Sequence, residues 1–168
     1  MFALSRRAAR VALAALASSV ACKDSGSNAE TAVRAEAPPL PPFQQEIASQ
    51  KAELTLPGSW RYSYKMADKP DTTAGAFHAI EFYYSDSASK VQPNMLLVIR
   101  AYKQAAWDKI SAGQTNISTR LAEHAGTVYA FSIRTSNPYP LNSAAALRVD
   151  AMMTDLTGAA SPLKLEFP

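Results

Sequence analysis

Cysteine is nearly missing from this sequence: one residue, Cys22, in a chain of 168. A single thiol excludes an internal disulfide, and it excludes any zinc site built from paired cysteines. Histidine is almost as scarce, with only His78 and His124 present. Glycine occurs six times, and no GxGxxG, phosphate-loop glycine cluster, GxSxG elbow or HExxH pair is found. An excess of one charge sign is missing as well, once the chain is divided at Cys22. The formal charge of +3 comes from 17 Lys and Arg against 14 Asp and Glu, and Arg6, Arg7 and Arg10 account for the whole excess. From Cys22 onward the basic and acidic residues are equal, at 17 minus 3 against 14. A neutral chain lacks the basic surplus that engages phosphate backbones, so nucleic acid is not an expected partner.

What is present begins with the N-terminal segment. Arg6, Arg7 and Arg10 precede an uncharged stretch from Val11 to Leu16, followed by small residues at Ala17, Ser18, Ser19 and Ala21. That pattern predicts a secretory signal over residues 1–21, too short for a spanning helix. Ser18-Ser19-Val20-Ala21-Cys22 resembles a bacterial lipobox, with Ser19 where the family usually has Leu. The resemblance implies acylation of Cys22, palmitate-type chains included, and so a membrane partner held through lipid. Two or more acyl chains anchor stably where one does not. Lys23, rather than an aspartate, follows the cysteine, which by the sorting habit of enteric bacteria implies the periplasmic face of the outer membrane.

Residues 22–47 are polar, small and proline-rich, ending in Pro38-Pro39-Leu40-Pro41-Pro42. Such a stretch buries too little apolar surface to offset its ordering entropy, and is expected to be a disordered tether. As a random coil its 26 residues span about 25–30 Å. Residues 48–168 are expected to form a single domain with its own core.

Within that domain, alternation predicts strands over Glu53–Leu56 and Trp60–Lys65, and strand-like runs cover Phe77–Tyr84, Met95–Tyr102, Ile117–Ala122 and Thr127–Ile133. His124-Ala125-Gly126 reads as a tight hairpin, and Asp68–Gly75 as a loop. Lys103–Ala112 carries Ala106, Trp107 and Ile110 on one side and stops at Gly113, which predicts a helix. A second helix follows Asn142 or Ser143 as N-cap, with Ala145, Val149, Met152 and Leu156 along one face. A shorter helix is expected around Phe43–Ser49. Consecutive strands with short links argue for an antiparallel sheet. The expected fold is therefore α+β, an antiparallel sheet of about six strands with helices packed on both faces.

Leu54-Thr55-Leu56-Pro57-Gly58-Ser59-Trp60 resembles the LxLPxxW opening of PsbP/Mog1-like domains. The order of the following elements is similar to that family too: an aromatic strand at Ile80–Tyr84, an aliphatic one at Leu96–Ile99, a helix with Trp107, and an Asn137-Pro138-Tyr139 turn. The resemblance spans about residues 50–168 and implies a three-layer sandwich of an uncharacterised bacterial lipoprotein branch. Most relatives are accessory or binding modules, so it implies a non-catalytic domain with an envelope protein as partner.

Two alternatives stay open on the residues. Ser59, His78 and His124 are the candidates for a small hydrolase, although neither histidine has a partner at triad spacing. Trp60, Tyr62 and Tyr64 alternate on one strand face, and with Tyr139 they are candidates for a ligand or glycan platform; a buried core, which aromatics more often form, is the favoured account of them. Asp68 and Asp71 could lend oxygens to calcium, but lack the remaining ligands of an ordered loop. No cofactor and no metal are expected.

Overall fold

The structure, a computed structural model, describes residues 38–86, 91–113 and 118–168. The signal over 1–21, Cys22, most of the tether and Ile117 lie outside the described residues.

The described chain is α+β with antiparallel pairing throughout. Eight strands form two sheets, in place of the single sheet of about six that the sequence suggests. Strand β1 (Phe43–Ile47) pairs with β2 (Ala52–Leu56), which pairs with the short C-terminal β8 (Lys164–Glu166). The second sheet has the order β3-β4-β5-β7-β6, with β3 (Tyr64–Pro70), β4 (His78–Tyr84), β5 (Asn94–Lys103), β6 (Thr119–His124) and β7 (Thr127–Ile133). Helix α1 (Gln104–Ser111) follows β5, and α2 (Ala144–Thr157) precedes β8.

Several sequence expectations are corrected. Phe43–Ser49 is no helix: its first five residues are β1, so folded structure begins before Ala48 and the tether is shorter than 22–47. Trp60–Lys65 is no continuous strand. Trp60 closes a 3-10 turn, Tyr62 adopts a left-handed φ of 66°, and strand geometry starts only at Tyr64. It then runs through Asp68 to Pro70, where composition suggests a loop. β3 is a sheet edge, which tolerates a proline and several charges because one side of its backbone needs no ladder partner.

Other expectations hold. Ser143 caps α2, its Oγ accepting from the Ala146 amide, and Ala145, Val149, Met152 and Leu156 are all buried. The turn between β6 and β7 has φ of 48° at Ala125 and 73° at Gly126. Positive φ at both central residues is the type I′ geometry that matches strand twist in a two-residue hairpin.

Strand alternation divides the apolar residues into two clusters. Ile80, Phe82, Leu97, Ile99 and Tyr129 enter the larger one, with Leu54, Leu56 and Leu165 of the small sheet and the buried stripe of α2. Trp60 lies at its centre, fully buried, with its Nε1 donating to the Met152 carbonyl at 3.0 Å. Residues of opposite parity, Tyr102, Val128 and Ala130, form the smaller cluster with Trp107 of α1.

Candidate functional site

The candidate site is set by the lengths of two neighbours. β5 has ten residues and extends about 33 Å; α1 has eight and extends about 12 Å. The helix therefore covers only one end of its sheet face. Trp107 fills that end, its ring 5.6 Å from Tyr102. Beyond the last turn of α1 no described element covers the same face, and among the described residues an open cavity of about 660 Å³ lies there. That volume falls in the range of small-ligand sites.

Leu96 and Val98 of β5, with Met95, Ile110 and Ile133, make its apolar surface. Hydroxyls come from Thr73, Ser118 and Ser132, the two serines hydrogen-bonded to each other at 2.7 Å. Three cations line it: Arg100 from β5, Lys109 from α1 and Arg134 just past β7. Among the described residues no carboxylate lines it.

A polar network buttresses one side. Arg100 donates from Nε to Asp71 at 2.8 Å, and the Thr73 amide donates to the same carboxylate at 2.8 Å. Burial alone raises the Asp71 pKa, but the hydrogen bonds from Thr73 and Arg100 outweigh it and hold it at about 2. Glu81, opposite Val98 in the ladder, is buried and accepts from Lys69 at 2.8 Å and from the Tyr83 hydroxyl at 2.5 Å. Its pKa is likewise lowered: burial pushes it up and these two partners more than compensate. Burial raises the pKa of Tyr102, so its hydroxyl stays protonated at neutral pH.

The residues singled out by sequence lie elsewhere and apart. Trp60 is core. Tyr62 is 88% exposed, so it shares no face with Trp60. Tyr64 packs on Phe43 and Phe82, its hydroxyl donating to Gln45 at 2.6 Å. Tyr139 lies edge-on to Tyr84, with its hydroxyl donating to the Gln92 carbonyl at 2.8 Å. The aromatic platform is thereby corrected: the four rings do not form one strip.

Ser59 Oγ is buried without a hydrogen-bond partner among the described residues. His124 stacks on Phe167 with ring centroids 4.3 Å apart. His78 meets Asp68 and, at 3.4 Å, Ser49, but both approach the same ring nitrogen, Nε2. A base relay needs the carboxylate on one nitrogen and the nucleophile on the other. Ser59, His78 and His124 are thus not brought together. Asp68 and Asp71 are engaged separately, by His78 and by Arg100, and no group of three potential metal ligands occurs among the described residues.

Sequence reasoning missed Arg100, Lys109 and Arg134. One signal was available: Arg100 is the single charge inside the run Met95–Tyr102. In comparisons with protein-family models, with curated proteins and with solved structures, nothing matches this chain.

Proposed function

We propose that the protein is a lipid-anchored module of the bacterial cell envelope that acts by binding rather than by catalysis. Cys22 carries the lipid, and the domain stands off the periplasmic face of the outer membrane on its tether. The finer reading of the fold, a three-layer PsbP/Mog1-like sandwich with a helix on each face, belongs to the same proposal. It is supported by the two apolar clusters drawing on strand residues of opposite parity.

The observation that carries the binding reading is the cavity beyond α1: concave, apolar at its base, and without a paired nucleophile and base among its lining residues. The cavity, and not the aromatic set, is the surface for recognition of a ligand or of a side chain presented by an envelope protein.

Occupancy is tested with Nile red, a neutral apolar dye. Its fluorescence should saturate at one dye per chain. Ser132→Phe, which fills the cavity from its floor, should weaken binding about tenfold or more at an unchanged melting temperature. A folded Ser132→Phe protein that binds the dye as well as wild type overturns the cavity as the site. The anchor is tested separately: Cys22→Ser should leave the membrane fraction or remain uncleaved. Membrane fractionation of Cys22→Ser like that of wild type, together with no acyl group on the wild-type chain by mass spectrometry, overturns the lipid reading.

A further inference from the structure

Resting on the cavity as the binding site, we propose that its ligand is an amphipathic anion: an apolar body bearing one carboxylate, sulfonate or phosphate head. The lining divides into two chemistries that no simpler ligand satisfies together. Leu96, Val98 and Ile133 present carbon to whatever enters, so an inorganic anion alone would leave that surface wet.

The three cations come from β5, from α1 and from just past β7, and all line the same cavity. Arg100 already has a counterion in Asp71. Lys109 has no carboxylate partner among the described residues, and Arg134 donates only to the Ser136 carbonyl there. Two charges lining the cavity therefore have no counterion among the described residues. A neutral ligand closing over them would strip water from both and return nothing, whereas an anionic head pairs with them. A cationic amphiphile is repelled.

The lining argues against a nucleobase as the apolar part. Among the described lining residues Tyr102 is the one aromatic, and its ring is already packed against Trp107. An aliphatic body fits the aliphatic floor better.

The test titrates purified protein calorimetrically with three amphiphiles sharing a ten-carbon chain: decanoate, decan-1-ol and decylammonium, at pH 7 and low salt. Decanoate should bind about tenfold tighter than decan-1-ol, and that preference should shrink as salt rises. Lys109→Gln and Arg134→Gln, both at exposed positions, should each weaken decanoate about two- to fivefold while decan-1-ol binds no more weakly than to wild type, so that the preference for the anion narrows. Displacement of decanoate by phosphatidylglycerol vesicles, and not by phosphatidylcholine vesicles, would assign the head to a bilayer lipid; no displacement by either assigns it to a free amphiphile.

Equal binding of decanoate and decan-1-ol, or a preference for decylammonium, overturns the anionic ligand while the cavity remains a site. Binding of none of the three, together with failure of Nile red, overturns both.

Discussion

Trp60→Ala is expected to cost about 3–5 kcal/mol of folding stability and to lower the melting temperature by roughly 10–20 °C. Trp60 is fully buried between the two sheets and α2. Its ring lies 6.2 Å from Phe82 in an edge-on pair and 6.0 Å from Tyr64, so truncation opens a void bounded by two further aromatics. Those neighbours sit on paired strands, where Tyr64 and Phe82 are fixed by ladder registers that do not slide to fill a gap. The indole nitrogen adds a second effect, because it ties the turn ending at Trp60 to the Met152 carbonyl of α2. Trp60→Phe separates the two: most of the ring volume stays while the hydrogen bond goes, and about 1 kcal/mol should be lost. Against a domain stability of about 5–15 kcal/mol, the alanine variant is left marginal. Thermal melts followed by circular dichroism measure both. An alanine variant melting within two degrees of wild type while binding is lost would make Trp60 a contact residue and not a structural one.

How far this could be read in the sequence depends on the length and the burial of each element. α2 was legible because Ala145, Val149, Met152 and Leu156 repeat at helical spacing over fourteen residues and Ser143 supplies a cap. β4, β5 and β7 were legible because central strands are apolar along both faces. β1 and β8 were not: both are short, one follows a proline run and the other a Ser-Pro step, and neither buries more than part of one face. The alternation of Trp60, Tyr62 and Tyr64 is misleading because period two implies one extended strand. The left-handed backbone at Tyr62 breaks that geometry and turns its ring to solvent. No local pattern reports such a residue, since tyrosine rarely adopts it. β3 was hidden by its own edge position, where Asp68, Lys69 and Pro70 are acceptable in a strand but look like loop.

The cavity was the least legible feature. It lies where α1, at eight residues, leaves part of the ten-residue β5 without a described partner on that face, and the relative length of two packed elements is not a local sequence pattern. Arg100 came nearest to a clue. A lone arginine in an apolar central strand must find a counterion on its own face of the sheet, and here it finds Asp71, 29 residues away. Chain separation of that kind is invisible to spacing rules. The candidate hydrolase residues show the converse: residue chemistry alone points to Ser59, His78 and His124, and the fold gives each a different neighbourhood.

The Asp71–Arg100 pair also sets the second large effect, a loss of stability in acid. Asp71 is held at about 2 in the folded chain, against an ordinary value of 3.8. A carboxylate whose folded pKa is depressed stabilises the fold fully above its unfolded value. That contribution is lost as pH falls from about 4 towards 2, where the unfolded chain takes up the proton first. The gap of nearly two units corresponds to about 2 kcal/mol. Glu81 shifts in the same direction and adds to the acid loss. Asp71→Asn separates the two. It removes the charge, faces an amide group towards the Arg100 guanidinium, and leaves that cation partly buried without its counterion. At pH 7 the variant should be less stable by about 2 kcal/mol, and between pH 4 and pH 2 it should lose less further stability than wild type, keeping only the slope that Glu81 and the remaining carboxylates supply. Urea unfolding across that pH series measures the difference. Wild-type and Asp71→Asn curves that coincide down to pH 2 would show that the pair contributes nothing to the fold; parallel but offset curves would show that Asp71 is not the source of the acid loss.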